Sequence, residues 1–172
     1  MDFRQHTPYQ LPQSPTSETP PLLHLYTDGA YFKQYHLGGW AVAIYDSEKK
    51  LIETLSGSQL SHSSLEMELT AAIKALEWLQ QNHANTSVAL YTDAQILLEG
   101  LLEKYPKWQK NNWRSSNGNP VVFSELWQEF HRISITQSID FYWTKGHAND
   151  SKNQLADQLA REKILNTQTS VS

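Results

Sequence analysis

The tetrapeptide Leu-Tyr-Thr-Asp occurs twice, as Leu25–Asp28 and as Leu90–Asp93. Each copy closes a short apolar run and precedes a small residue, Gly29 or Ala94. Aromatic and apolar runs bounded by turn or helix-start signals read as buried strands. The pattern therefore sets a carboxylate at the C-terminal tip of two strands, the edge at which α/β sheets bind ligands. Two such tips side by side bring like charges together, which costs several kcal/mol in a low-dielectric cleft. A divalent cation between them removes that cost.

Two further acids can join them. At about 100° per residue, Glu68 falls beside Leu65, Ala72 and Leu79 on the flank of a helix's buried stripe. Asp157 lies next to Ala160 and Ile164 at the edge of another apolar arc. Taken singly, each acid has an ordinary structural role. Asp28 before Gly29 suits a turn, Asp93 suits a helix N-cap, Asp157 can pair with Arg161 one turn on, and Glu68 can be solvated. Taken together, acids directed toward a sheet need neutralising. An oxygen-only ligand set suits Mg²⁺ or Mn²⁺ rather than zinc. His147, in Thr144-Lys145-Gly146-His147-Ala148, follows a strand tip and precedes Asp157 by ten residues, so it can hang over the same cleft.

The elements that must position these groups follow from periodicity. Residues 1–21 hold five of the seven prolines and read as a disordered tail. Strands are expected at 22–28, 39–45 and 51–58, the last two joined as a hairpin through 46–50. A helix is expected from Ser64 to His83, with Ser63 and Glu66 as a capping box and Leu65, Leu69, Ala72, Ile73, Leu76 and Leu79 as its buried stripe. Then come strand 88–92, a helix from Ala94 to about Lys104, an irregular polar stretch over 105–122, a helix at 123–133, strand 139–144 and a last helix near 153–166. The fold class is α/β, a mixed five-stranded sheet with its first three strands antiparallel, flanked by helices. One domain spans 22–166, and 167–172 form a flexible tail.

Bulk properties narrow the partners. The 172-residue chain has no cysteine, which excludes disulfides and thiolate metal sites and fits the reducing cytoplasm. No apolar run approaches a membrane span, and the N-terminus lacks the apolar core of a secretory signal. A net charge of −4 means that a nucleic acid must be gripped by a local basic patch. Residues 104–119 offer one: Lys104, Lys107, Lys110 and Arg114, no acid, interleaved with Tyr105, Trp108 and Trp113. The alternative for this stretch is an exposed loop whose tryptophans pack on the body.

The pieces Tyr26-Thr27-Asp28-Gly29, Met67-Glu68-Leu69, Tyr91-Thr92-Asp93, Lys145-Gly146-His147-Ala148 and Asn153…Asp157, in this order, resemble the type 1 ribonuclease H family. The resemblance runs from about Leu22 to Asn166. It implies the ribonuclease H-like fold and an endonuclease that hydrolyses the RNA strand of RNA–DNA hybrids, leaving 5′-phosphomonoesters. It implies Asp28, Glu68, Asp93 and Asp157 as ligands of two Mg²⁺ (or Mn²⁺) ions per bound substrate, with His147 aiding proton transfer or product release. Selectivity for the RNA strand would come from contacts to 2′-hydroxyls across the minor groove. Gly29, Gln34, Ser63 and Ser64 are the expected contacts there. Residues 104–119 resemble the basic handle of bacterial members, with Lys107, Trp108, Lys110, Trp113 and Arg114 on the duplex. A monomer is expected.

Three places depart from the family pattern. The turn after Asp28 is Tyr31-Phe32-Lys33-Gln34-Tyr35-His36, bulkier than the usual Gly/Asn/Pro-rich turn. The segment before Glu68 is Ser61-His62-Ser63-Ser64-Leu65-Glu66 in place of one rich in Thr and Asn. Phe123 stands where well-known members carry an amide for a DNA-strand phosphate. Two alternatives follow: a nuclease of this fold with another nucleic-acid substrate, and a catalytically weak hybrid-binding module. An aspartyl-nucleophile phosphatase would need a second Asp two residues after the first, where Ala30 stands.

Overall fold

The computed structural model describes residues 8–12, 14–15, 19–144 and 151–171, with residues 170 and 171 described by their backbone alone. Five strands form one mixed sheet: β1 (Leu23–Phe32), β2 (Leu37–Asp46), β3 (Leu51–Leu60), β4 (Val88–Thr92) and β5 (Ile139–Trp143). The spatial order is β3-β2-β1-β4-β5. β1, β2 and β3 pair antiparallel, while β4 runs parallel to both β1 and β5. The helices are α1 (Ser64–Asn82), α2 (Gln95–Glu99), α3 (Tyr105–Lys110), α4 (Ser124–Ser134) and α5 (Ser151–Val171). Among the described residues no helix is long and apolar enough to cross a membrane.

Side-chain alternation divides the core between the two faces of the sheet. On one face Leu23, Leu25, Val42, Ile44, Val88, Leu90, Ile139 and Phe141 meet Leu69, Leu76 and Leu79 of α1 and Trp127 and Phe130 of α4. On the other, Ala30 and Ala41 meet Ala160 and Ile164 of α5. These small residues let α5 lie close to the sheet. At Gly39 an added Cβ would stand 2.1 Å from the carbonyl oxygen of Ala160. That approach is what brings Asp157 to the sheet.

Strand β1 continues four residues past Asp28, because its antiparallel pairing with β2 runs to Phe32–Leu37. Its parallel pairing with β4 stops at Tyr26–Tyr91. Asp28 is therefore not at the end of its strand, as expected, but at the point where β1 and β4 part. The hairpin partner supplied hydrogen bonds that the apolar run alone did not reveal.

Other boundaries also move. Ser63 caps α1 by accepting the Leu65 N–H at 3.1 Å, but Glu66 does not complete the capping box. The Ser63 N–H is taken by Ser61 Oγ, and Glu66 accepts from that same hydroxyl. The stretch expected to be irregular after Lys104 is helical to Lys110. A π-helical turn, Gly100–Lys104, joins α2 to α3 there. α5 runs on to Val171, into the segment expected to be a flexible tail. The hydroxyls of Thr167 and Thr169 donate to carbonyls one turn back, and Thr167 meets Ser58 of β3.

The N-terminal segment corrects its composition-based reading in part. Tyr9 and Phe141 exchange both backbone hydrogen bonds at 2.8 Å, which covers the outer edge of β5. Leu11 is buried in the core, and Ser14 Oγ donates to the carbonyl of Ser134. Proline breaks regular structure without forbidding an extended strap that pairs at one residue and inserts one side chain. Leu11→Ala should therefore lower stability by about 2–3 kcal/mol, as for other buried leucines. An unchanged denaturation midpoint would mean the strap does not hold in solution.

Candidate active site

The repeated Tyr-Thr-Asp sequence builds the site, each residue with its own task. The rings of Tyr26 and Tyr91 stack 4.2 Å apart and within 1° of parallel, fixing the register of β1 against β4. Thr27 Oγ1 donates to the carbonyl of Tyr91 at 3.2 Å, across the gap just before the strands part. Thr92 Oγ1 accepts the N–H of Ala94 at 3.0 Å and turns the chain after β4. Trp143 Nε1 donates to the carbonyl of Asp93 at 3.3 Å. Asp28 and Asp93 are thus set from both sides of one split. Sequence reasoning singles out only the acids of the repeat. The recurrence of Tyr and Thr in both copies was the available signal.

Glu68 comes from α1. One oxygen each of Asp28, Glu68 and Asp93 lie within 4.8 Å of one another. Gly29 makes the approach possible, since a Cβ there would fall 2.5 Å from Glu68 N and from the carbonyl carbon of Met67. Its N–H donates to Asp28 Oδ1 and to Glu68 Oε1, both at 3.0 Å. Gly29, expected as a nucleic-acid contact, is here what binds two carboxylates of the site together. Gly29→Ala should push α1 outward, cost about 1–3 kcal/mol of stability by overpacking and cut activity with it. Wild-type melting and turnover would show that α1 accommodates the methyl group.

The cluster is electrostatically strained. Burial, then the charges of Glu68 and Asp93, hold the Asp28 carboxyl far above the usual carboxylate range. Burial and the charge of Asp93 do the same to Glu68, against the hydrogen bonds it accepts. Glu68 Oε2 is buried and has no hydrogen-bond partner among the described residues. A buried carboxylate oxygen without a partner, beside two further acids, fits a bound cation. The donors are all oxygen, as Mg²⁺ and Mn²⁺ require.

Asp157 stands slightly apart. It is half-buried on α5, lies near enough to help hold the Asp28 carboxyl protonated, and accepts Arg161 Nε at 3.3 Å. The ordinary pairing with Arg161 and the placement near the cluster both hold. His147 lies outside the described residues.

The expected binding residues fall on two sides. Gln34 is exposed on the 3₁₀ turn Lys33–Tyr35, and Ser64 is exposed at the start of α1 beside the capping Ser63. On the other side, Lys104, Lys107, Lys110 and Arg114 are all exposed. Trp108 and Trp113 turn inward instead. Trp108 packs against the buried Trp127 with ring centres 5.3 Å apart, and Trp113 meets Tyr105 edge-on at 5.1 Å. They anchor the handle. A groove of about 660 Å³ runs between α3 and the loop after it, with Lys104, Lys107, Asn111 and Arg114 on its walls. Its inner end reaches Leu65 and Ile96, each three residues from an acid of the cluster.

The family model described as RNase H matches residues 21–165. The chain belongs to the ribonuclease H family. Ribonuclease H of Thiobacillus denitrificans is 34% identical over 148 residues, 86% of this chain and 96% of that protein. Ribonuclease H of Bradyrhizobium diazoefficiens is 36% identical, covering 84% and 91%. Foamy viral protease-reverse transcriptase in complex with RNA/DNA hybrid shares the fold at a TM-score of 0.74 and 17% identity, covering 92% of this chain and 22% of that one. Membership makes the chain an enzyme of the ribonuclease H class, and the ribonuclease H fold inferred from its motifs holds.

Proposed function

We propose that this enzyme cleaves the RNA strand of RNA–DNA hybrids and leaves 5′-phosphomonoesters. Asp28, Glu68, Asp93 and Asp157 would hold two divalent cations, Mg²⁺ or Mn²⁺, once substrate is bound. The observation that carries the reading is the convergence of three carboxylates from three elements within 4.8 Å, with Glu68 Oε2 buried and unsatisfied. The bacterial relatives are ribonucleases H, and the foamy viral structure of like fold holds an RNA/DNA hybrid.

When bound, the cations supply a nucleophilic water at neutral pH and neutralise charge on the scissile phosphate. The residues do the rest. Asp28 and Glu68, buried and tied to the Gly29 N–H, hold their oxygens rigid before substrate arrives. Asp93 is partly exposed and forms the open side, where the phosphate enters. His147 would aid proton transfer to the leaving 3′ oxygen, or product release. Ser63 Oγ accepts a backbone N–H and keeps its own proton to donate, so it can bond a 2′-hydroxyl while capping α1. Gln34 and Ser64 face the same groove of the duplex. Lys107, Lys110 and Arg114 grip the backbone further along, and the protein works as a monomer in the cytoplasm.

A cleavage assay on one sequence prepared as hybrid, double-stranded RNA, double-stranded DNA and single strands tests the proposal. Cleavage confined to the RNA strand of the hybrid is expected. Equal cleavage of double-stranded RNA or DNA would replace it with a nuclease of different substrate.

A further inference from the structure

Among the described residues outside the carboxylate cluster, His36 and His62 are brought together from separate elements. His36 ends the 3₁₀ turn between β1 and β2, and His62 lies in the loop before α1. Both are exposed. Their ring centres are 5.4 Å apart and their planes are inclined at 60°. This is not the geometry of a stacked pair. Where a histidine does stack in this chain, His131 on Tyr105, the centres are 3.9 Å apart and the planes within 9°.

The backbone brings the two residues together. His36 has φ of 51°, in the left-handed region that a non-glycine residue adopts only at a cost in strain. Its carbonyl accepts the Ser61 N–H at 3.0 Å, which draws the loop carrying His62 onto the turn. Two imidazoles on one tetrahedral ion, each about 2.0–2.1 Å from it, have ring centres about 5–5.5 Å apart. The observed separation lies in that range.

We propose that His36 and His62 form a second cation site that takes nitrogen-preferring divalent ions of the Zn²⁺ or Ni²⁺ type. The carboxylate cluster selects hard, oxygen-preferring ions, so the two sites divide cations by ligand chemistry. Among the described residues no third imidazole, thiol or carboxylate joins the pair. Water completes the coordination shell. An ion held there ties the β1–β2 turn to the N-terminus of α1.

Zn²⁺ is titrated into the full chain in excess Mg²⁺, following assigned histidine side-chain resonances and the heat of binding. His36→Asn retains a residue that tolerates the left-handed turn, and His62→Ala removes the other ligand. The resonances of His36 and His62 are expected to move together and saturate at one equivalent. Each variant should weaken Zn²⁺ binding by about tenfold or more, and Asp28→Asn should leave it unchanged. The proposal is overturned if no Zn²⁺ binds, if binding survives both histidine variants, or if it is lost in Asp28→Asn.

Discussion

Asp28→Asn and Asp93→Asn should each abolish divalent-cation-dependent hybrid cleavage and, in chelator, should each raise the melting temperature. The two effects have one cause. Three acids share a space 4.8 Å across, two of them buried. Replacing one carboxylate by the isosteric amide removes a ligand and also removes a repelling charge. Relief of about 1–2 kcal/mol corresponds to a rise of roughly 2–8 °C for a chain of this size.

The sign of the pH dependence follows from the direction of the shifts. Asp28 and Glu68 bind protons more tightly folded than unfolded. Their contribution to stability is complete below the ordinary carboxylate range and is lost as pH rises through their elevated folded values. The metal-free protein should therefore melt lower at pH 8 than at pH 5.5, and Asp28→Asn should flatten that slope. Melting curves across pH in chelator, with and without added Mg²⁺, check it. Wild-type turnover in either variant would remove the carboxylates from the chemistry.

The second large effect concerns binding. Reversing the charges of Lys107, Lys110 and Arg114 together should leave the fold intact, because all three are exposed. The change sacrifices the local bond from Arg114 Nη1 to the Gly118 carbonyl. Each lost phosphate contact lowers the slope of log K against log salt by about 0.7–0.9, so three lower it by roughly 2–3. At about 0.1 M salt that is a loss of two or more decades in affinity. The carboxylates are untouched, so turnover of saturated enzyme should be kept. Binding isotherms at several salt concentrations decide it. An unchanged salt slope would mean that the exposed lysines never meet the duplex and that the handle is only packing.

How far the sequence disclosed this molecule varies with the kind of signal. The doubled Leu-Tyr-Thr-Asp marked two acids beside neighbouring parallel strands, and the helical phase of Glu68 turned it toward them. Both inferences rest on strict periods, and both hold. The end of β1 did not follow from its apolar run, because a strand's length is set by its partner, and β2 pairs with residues past Asp28. Composition held no sign of the Tyr9 bridge to β5 or of the buried Leu11, because neither depends on a local pattern. The handle's tryptophans carried two meanings in sequence, stacking on a duplex or packing on the body. Their partners Trp127 and Tyr105 lie at distances in the chain that no local pattern connects. Gly29 was visible only as part of a motif, because the close approach of α1 is a three-dimensional fact.

The central claim is that Asp28, Glu68 and Asp93 hold the cation that hybrid cleavage requires. Crystals of the protein with an uncleaved hybrid, soaked in Mn²⁺ and measured at the manganese absorption edge, test it most directly. The account predicts anomalous density within about 2.0–2.4 Å of carboxylate oxygens of Asp28, Glu68 and Asp93, absent in Asp28→Asn. Density elsewhere in a cleavage-competent complex, with these oxygens left unligated, would contradict it.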